Sequence, residues 1–394
     1  MSEALLRDGL AQTTLHPLGL RVSHAQGSRI TLENGKEIID FISGIGASSF
    51  GHGHPEIVKA IHTQVDKHLH VMVYGEMRQR AQDEAARQLL QLMPDNLNSV
   101  YFVNSGAEAI DAAMKLVRRV TNRRKIIAVT GGYHGNTFGA LSVSSNAERK
   151  APFAPLVGDI DLIEWNEMHG LRAIDASVAG VIVETIQGDA GVRIPDAAWL
   201  QAIRKKCTQV GAHLVLDEIQ CGFGRTGCPF AFEHFGIVPD HLCLGKALGG
   251  GMPIGALVSN KNYLQQFAHS PSLGHITTFG GHPVPCAASA VASCLLKEID
   301  WERVEHVGAM IESNLKSCNQ VQSIRRKGLY IAVELENTEV VNNVVQSALA
   351  NGVLIFYFLS TPSAFRIAPP LNINDNDLNE AIDTLTRCIK RCGS

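Results

Sequence analysis

The sequence predicts an α/β protein organised around a largely parallel sheet, with a smaller α+β part drawn from its two ends. At 394 residues the chain is long enough for one large core or two modest ones. Hydrophobic residues make up 45% and charged residues 19%, a balance that suits a chain folded throughout. Short apolar runs alternate with amphipathic stretches through the middle of the sequence, the pattern of strands and helices wound into a parallel sheet.

Taken along the chain, residues 28–42 read as a hairpin, two strands around the Asn34-Gly35 turn. Residues 56–70 and 81–93 have helical character. Strands are predicted at 99–103, 125–130, 180–184, 213–217, 242–244 and 254–258. A helix over 108–120 gathers Ala109, Ala112, Ala113, Leu116, Val117 and Val120 on one face and leaves Lys115, Arg118 and Arg119 largely outside it. Another at 196–208 follows Pro195, with Asp196 as its N-cap. From Trp301 the pattern becomes helix, strand at 329–335, helix, strand at 354–358, and a last helix with Leu378, Ala381, Ile382, Leu385 and Ile389 apolar. The boundary is expected near 285–300, giving a large domain of residues 46–285 and a small one of 1–45 and 286–394. No repeat or low-complexity linker separates them, so a ligand belongs in the crevice at the carboxyl ends of the strands.

Composition narrows the function. Lys plus Arg is 35 against 38 for Asp plus Glu, a net charge of -3, so nothing favours nucleic acid. Nine cysteines, odd in number and without CxxC pairs, read as reduced thiols of a cytoplasmic protein. The start, Met1 to Asp8, lacks a basic region followed by an apolar core, and no apolar run approaches the ~18 residues of a membrane span. Pairs such as His52/His54 and His68/His70 lack a matched acid or cysteine set, so no metal site is expected.

Three motifs bear chemistry. Ser105-Gly106-Ala107-Glu108 follows a strand and opens a helix: it is either a well-made capping box or an anion site built on the Gly106 and Ala107 N–H groups. The strand 213–217 ends in Asp217-Glu218, followed by Gly222-Phe-Gly224-Arg-Thr-Gly227. That run is formally a dinucleotide fingerprint, but the two acids would repel a pyrophosphate and Pro229 stands where a helix should begin. It is instead a turn that presents Asp217. Lys246 directly follows an apolar strand and precedes Gly249-Gly250-Gly251, without the Ser or Thr a P-loop needs. Such a lysine either snorkels to solvent or is buried, where desolvation exposes a nucleophilic amine. Taken together, an anion cradle, a strand-end Asp and a Schiff-base lysine are what pyridoxal phosphate requires.

At these residues the chain resembles the class III (omega) aminotransferases, in particular the acetylornithine, ornithine and 4-aminobutyrate group, over about residues 27–371. The most specific stretches are Leu-Val-Leu-Asp217-Glu218-Ile-Gln220-Cys-Gly222-Phe-Gly224-Arg225-Thr226-Gly227 and Gly245-Lys246-Ala-Leu-Gly-Gly-Gly-Met-Pro253-Ile-Gly255. Gly132-Tyr133-His134-Gly135, Glu184-Thr-Ile-Gln-Gly188 and Thr277-Thr278-Phe279-Gly-Gly-His-Pro283 are also family-like. The resemblance implies a fold-type I pyridoxal-phosphate-dependent transferase: a mostly parallel seven-stranded sheet flanked by helices, plus a small α+β domain from both termini.

It also implies roles. Lys246 would form the Schiff base and carry the proton, and Asp217 would pair with the pyridine nitrogen. Gln220 would bond the phenolic oxygen and Tyr133 stack on the ring, with His134 and Glu184 also at the cofactor. Ser105, Gly106 and Ala107 would hold the phosphate. Thr278 would reach the phosphate of a neighbouring subunit, implying a homodimer. Arg366, with Thr277, Asn136 and Asp189, would contact substrate, an amino donor or an oxo acid such as 2-oxoglutarate; the alternative for Arg366 is a structural ion pair. Two departures concern substrate choice. Asn136 stands where acetylornithine and ornithine enzymes usually carry a carboxylate-binding Arg, and Asp189 stands where many relatives have a Glu that pairs with the arginine at 366. An aminomutase or decarboxylase of the same fold, a non-catalytic cofactor-binding protein and a nicotinamide dehydrogenase are the alternative functions.

Overall fold

The computed structural model describes residues 9, 11, 13–73 and 75–392. The N-terminal stretch 1–8, on which the expectation about export rests, lies outside the described residues. The strands are, in chain order, β1 (Val22–Gln26), β2 (Arg29–Leu32), β3 (Glu37–Asp40), β4 (Ser99–Val103), β5 (Lys125–Val129), β6 (Ile160–Ile163), β7 (Val178–Glu184), β8 (His213–Asp217), β9 (His241–Leu244), β10 (Gly255–Ser259), β11 (Ser323–Lys327), β12 (Tyr330–Glu334), β13 (Val353–Leu354), β14 (Phe356–Tyr357) and β15 (Ala364–Ile367).

A seven-stranded sheet has the order β4-β10-β9-β8-β7-β5-β6. The neighbours from β9 to β6 pair in parallel, and β10 runs antiparallel to both β9 and β4. Every residue of β7, β9 and β10 is buried, which explains their unbroken apolar character: helices cover both faces of such a sheet. The helix Gly106–Thr121 lays Ala109, Ala112, Ala113, Leu116 and Val117 onto it and ends at left-handed Asn122, φ 54°. The helix Pro283–Lys297 packs on Arg80–Leu90 and Pro55–Val65.

Two four-stranded sheets complete the fold. In one, β1-β2-β3 is extended by β13, parallel to β3, so residues from the two ends of the chain share a sheet. In the other, β11-β12-β15-β14 is antiparallel, with Arg366 opposite Ala332 on β12 and Phe356 on β14. No helix among the described residues is long and apolar enough to cross a membrane.

Several local expectations are corrected. β6 and β15 were not predicted as strands. β6 is a four-residue edge strand with Asp161 and Leu162 exposed, and β15 is fully buried yet carries a charge, Arg366, that argues against a core strand in sequence. The predicted strand at 354–358 is two short ones, β13 in one sheet and β14 in another. The helix expected at 56–70 ends at Val65, where the Gln64 amide donates to the His68 carbonyl and closes a turn. Asp196 sits at the N-cap position of Ala197–Val210, but its side chain makes no capping bond.

The 222–227 turn has a structural task. Arg225 is buried and donates to the carbonyls of Leu329 and Pro369 and to Ser49 Oγ, 2.6–3.3 Å away, and its own carbonyl accepts from Leu329 N–H. With no carboxylate at ion-pair distance among the described residues, burial pulls its guanidinium down to about 10. This clamp ties the end of β8 to the start of β12 and to the segment after β15, the elements that carry Asp217, Tyr330 and Arg366.

Candidate active site

The carboxyl end of β9 delivers Lys246 in a strained backbone, φ 46°, a conformation that a non-glycine residue adopts at a cost of about 1–3 kcal/mol. Gly245 makes the approach possible. A Cβ there would press on Ile219 and, at 3.4 Å, on Gly106 N and Cα, so the lysine strand lies directly against the start of the 106–121 helix. At that start the Ser105 hydroxyl accepts from Glu108 N–H and the Ser105 carbonyl from Ala109 N–H. The capping box is only half formed, because the Glu108 carboxylate takes Asn104 N–H instead of Ser105 N–H. Gly106 and Ala107 are first-turn donors that the helix does not satisfy, at the positive end of its dipole.

The end of β8 supplies Asp217, buried, whose Oδ2 lies 2.7 Å from His134 Nδ1 and whose Oδ1 accepts from Ile219 N–H. Burial drives the His134 imidazole down, but the hydrogen bond and charge of Asp217, with Glu184 nearby, outweigh it and leave its pKa raised. His134 Nε2 is buried without a partner. Glu184 holds the turn in place by accepting from Tyr133 N–H and Gly188 N–H, and burial pushes it up to about 7. Glu218, the other acid of the pair, faces away and caps the Ala231–Phe235 turn through Ala231 and Phe232 N–H.

Lys246 feels this surrounding field. Burial and then the charge of Arg366 lower its amine to about 8, against the opposing pull of Asp217 and Glu184. Arg366 itself is buried, with Nε donating to the Tyr357 carbonyl and its guanidinium 4.5 Å over the Phe358 ring. Asp189 Oδ1 stands 3.5 Å from Arg366 Nη2, while the two Asp189 oxygens accept from Leu359 N–H and Ser360 Oγ. The arginine therefore has a carboxylate beside it without a tight fork closing on it.

Around this centre the structure gathers most of the residues singled out in sequence. Tyr133 is half-buried, its hydroxyl accepting from exposed Asn136, and the charge of Arg149 reaches that phenol. Gln220 Oε1 and the Tyr330 hydroxyl both lie over Gly188, where a Cβ would collide with each. Thr277 accepts from Asn104 Nδ2 and Gly280 N–H within its own turn. Thr278 is the one set apart, exposed on the surface beside exposed Ile276 and Phe279. Tyr330 was missed: its strand was legible, but nothing in sequence showed which face it presents.

A family profile described as "Aminotransferase class-III" matches residues 11–389. The chain belongs to the class-III aminotransferases. It is 38% identical over 373 residues to an acetylornithine aminotransferase of Methanopyrus kandleri, covering 93% of this chain and 94% of that one. A [LysW]-aminoadipate semialdehyde/glutamate semialdehyde transaminase of Sulfurisphaera tokodaii is 34% identical, covering 92% and 93%. Among solved structures, the ornithine aminotransferase of Toxoplasma gondii ME49 superposes with a TM-score of 0.88 at 28% identity, covering 97% of this chain and 92% of that one. The protein is thus an aminotransferase of the pyridoxal-phosphate-dependent class, with the expected seven-stranded α/β fold.

This class-III aminotransferase has a site that suits such a cofactor. Unsatisfied first-turn donors fit a phosphate, a buried carboxylate fits a ring cation, and a buried amine of lowered pKa fits an aldehyde. Gly188→Ala is expected to force Gln220 or Tyr330 aside, costing about 1–3 kcal/mol in thermal or urea denaturation. Adding Tyr330→Phe, which removes one of the two colliding oxygens, should recover part of that loss.

Proposed function

We propose that this enzyme moves an amino group from an ω- or α-amino donor of the acetylornithine, ornithine or 4-aminobutyrate type to an oxo acid such as 2-oxoglutarate, with Lys246 as the catalytic amine. The observation that carries this is the convergence of the half-buried Lys246, following β9, with Asp217 at the end of β8 and Arg366 of β15, whose charges both act on its amine. Residues 46–285 are assigned as the cofactor-binding domain and 1–45 with 286–394 as the small one. Their separate sheets support that division.

Pyridoxal phosphate, when bound, supplies the aldehyde that exchanges amino groups and a ring that draws electrons from the substrate carbon. Ser105, Gly106 and Ala107 would hold its phosphate at the helix N-terminus. Asp217 would keep a proton on the ring nitrogen, with His134 orienting Asp217. Gln220 would bond the phenolic oxygen and Tyr133 would stack on the ring, carried by the turn that Glu184 fixes. Lys246 Nζ would take the proton from the substrate carbon and hold it for return. Arg366 receives a substrate carboxylate when Asp189 leaves it free. Thr278, exposed in one chain, completes the phosphate site of a second copy, and the assembly is a cytoplasmic homodimer.

Asn136 bears on the donor. An amide cannot provide the bidentate cation that a distal α-carboxylate prefers, so donors with another distal group are favoured. A screen of ω-amino acids, acetylornithine, ornithine and diamines, with products identified with and without 2-oxoglutarate, tests the proposal. Glutamate formed in step with donor consumption supports it. Product formed without any acceptor would point to a decarboxylase or aminomutase instead.

The lysine's titration gives a separate expectation. In cofactor-free protein, competitive acylation of Lys246 should rise with pH around 8, against the ordinary 10.5. At pH 7.5 this leaves roughly 200-fold more neutral amine than an unshifted lysine would have. Peptide mass mapping of the labelled protein across pH 6–10 reads it.

A further inference from the structure

Tyr330 lies on the β12 strand that pairs with β15, the strand of Arg366. The register places Ala332 opposite Arg366, so Tyr330, two residues along, shares that face diagonally with the arginine, a spacing that aromatic and long side chains bridge. The small Ala332 leaves the intervening space open. The Tyr330 ring is buried and its hydroxyl has no hydrogen-bond partner, an arrangement that costs free energy unless a ligand completes it. Gly188 permits this: a side chain there would fill the space that the hydroxyl and the Gln220 amide occupy. The other arginine on this face, Arg325, is already engaged by Glu334 and the Gly191 carbonyl. Burial pushes the phenol well above its usual range, so at neutral pH the hydroxyl keeps its proton and donates.

We propose that Tyr330 is a specificity-determining residue whose hydroxyl donates a hydrogen bond to the substrate carboxylate received by Arg366. The pair then recognises a dicarboxylic oxo acid through one cation and one neutral donor. The neutral donor adds a directed bond without adding a second buried charge. This inference rests on the assignment of Arg366 as the carboxylate site.

Its test uses the holoenzyme and the non-reacting dicarboxylate glutarate, titrated calorimetrically into wild type, Tyr330→Phe and Arg366→Gln. Tyr330→Phe keeps the ring and its packing, and its glutarate Kd is expected to rise about tenfold. The loss with 2-oxoglutarate as substrate should fall in KM rather than kcat. If Arg366→Gln weakens glutarate and Tyr330→Phe does not, Tyr330 is no part of carboxylate recognition and the Arg366 assignment stands. If neither weakens it, both assignments are wrong. A Tyr330→Phe enzyme with unchanged Kd but a shifted visible absorbance of the bound cofactor would place the hydroxyl against the cofactor and overturn the proposal.

Discussion

Replacing Lys246 by alanine is expected to lower turnover by at least about ten-thousandfold while leaving the fold intact. Two losses combine. On the proposed assignment, the amine that would hold the cofactor disappears, and so does the group that would carry the proton of the substrate carbon. Stability should not fall with it, because an amine withdrawn from water is a cost to the folded state, while alanine at φ 46° carries the same backbone strain as lysine. Single-turnover kinetics alongside thermal denaturation separate these effects: collapsed turnover with an unchanged or higher midpoint is the expected pair of results. An alanine variant with ordinary turnover would remove Lys246 from the chemistry.

Asp217→Asn is expected to cost roughly 10- to 1,000-fold in turnover, the scale of a one-to-three-unit loss of ring protonation when a facing negative charge is removed. The same substitution should act on His134. Its raised pKa depends on the 2.7 Å bond to Asp217, which opposes the downward push of burial. Without the carboxylate, burial prevails and the imidazole becomes neutral. An NMR titration of His134 in both forms reads this independently of activity. A turnover loss without a change at His134 would mean that the pair is not the unit described.

What sequence made legible follows from how local each signal is. Lys246 stands beside a glycine cluster, Asp217 ends an apolar strand and Ser105 opens an amphipathic helix, and each is positioned by its own segment. The helix 106–121 and the central strands were visible for the same reason. Tyr330 and Arg366 are different: their relation exists only through the pairing of β12 with β15, and β15 hides in sequence because its charge interrupts an apolar run. The role of Arg225 was hidden likewise. Its partners, Ser49, Leu329 and Pro369, come from three distant segments. The GxGxxG run that surrounds it reads in sequence as a turn presenting Asp217, and in the fold it is also the clamp that sets the small-sheet residues against Asp217.

The most direct test of the account is to treat the purified holoenzyme with borohydride, which fixes the cofactor to the lysine that holds it, and to map the modified peptide by mass spectrometry. A single pyridoxyl adduct on Lys246 is expected. An adduct on any other lysine, or none at all in protein that shows bound cofactor, would contradict it.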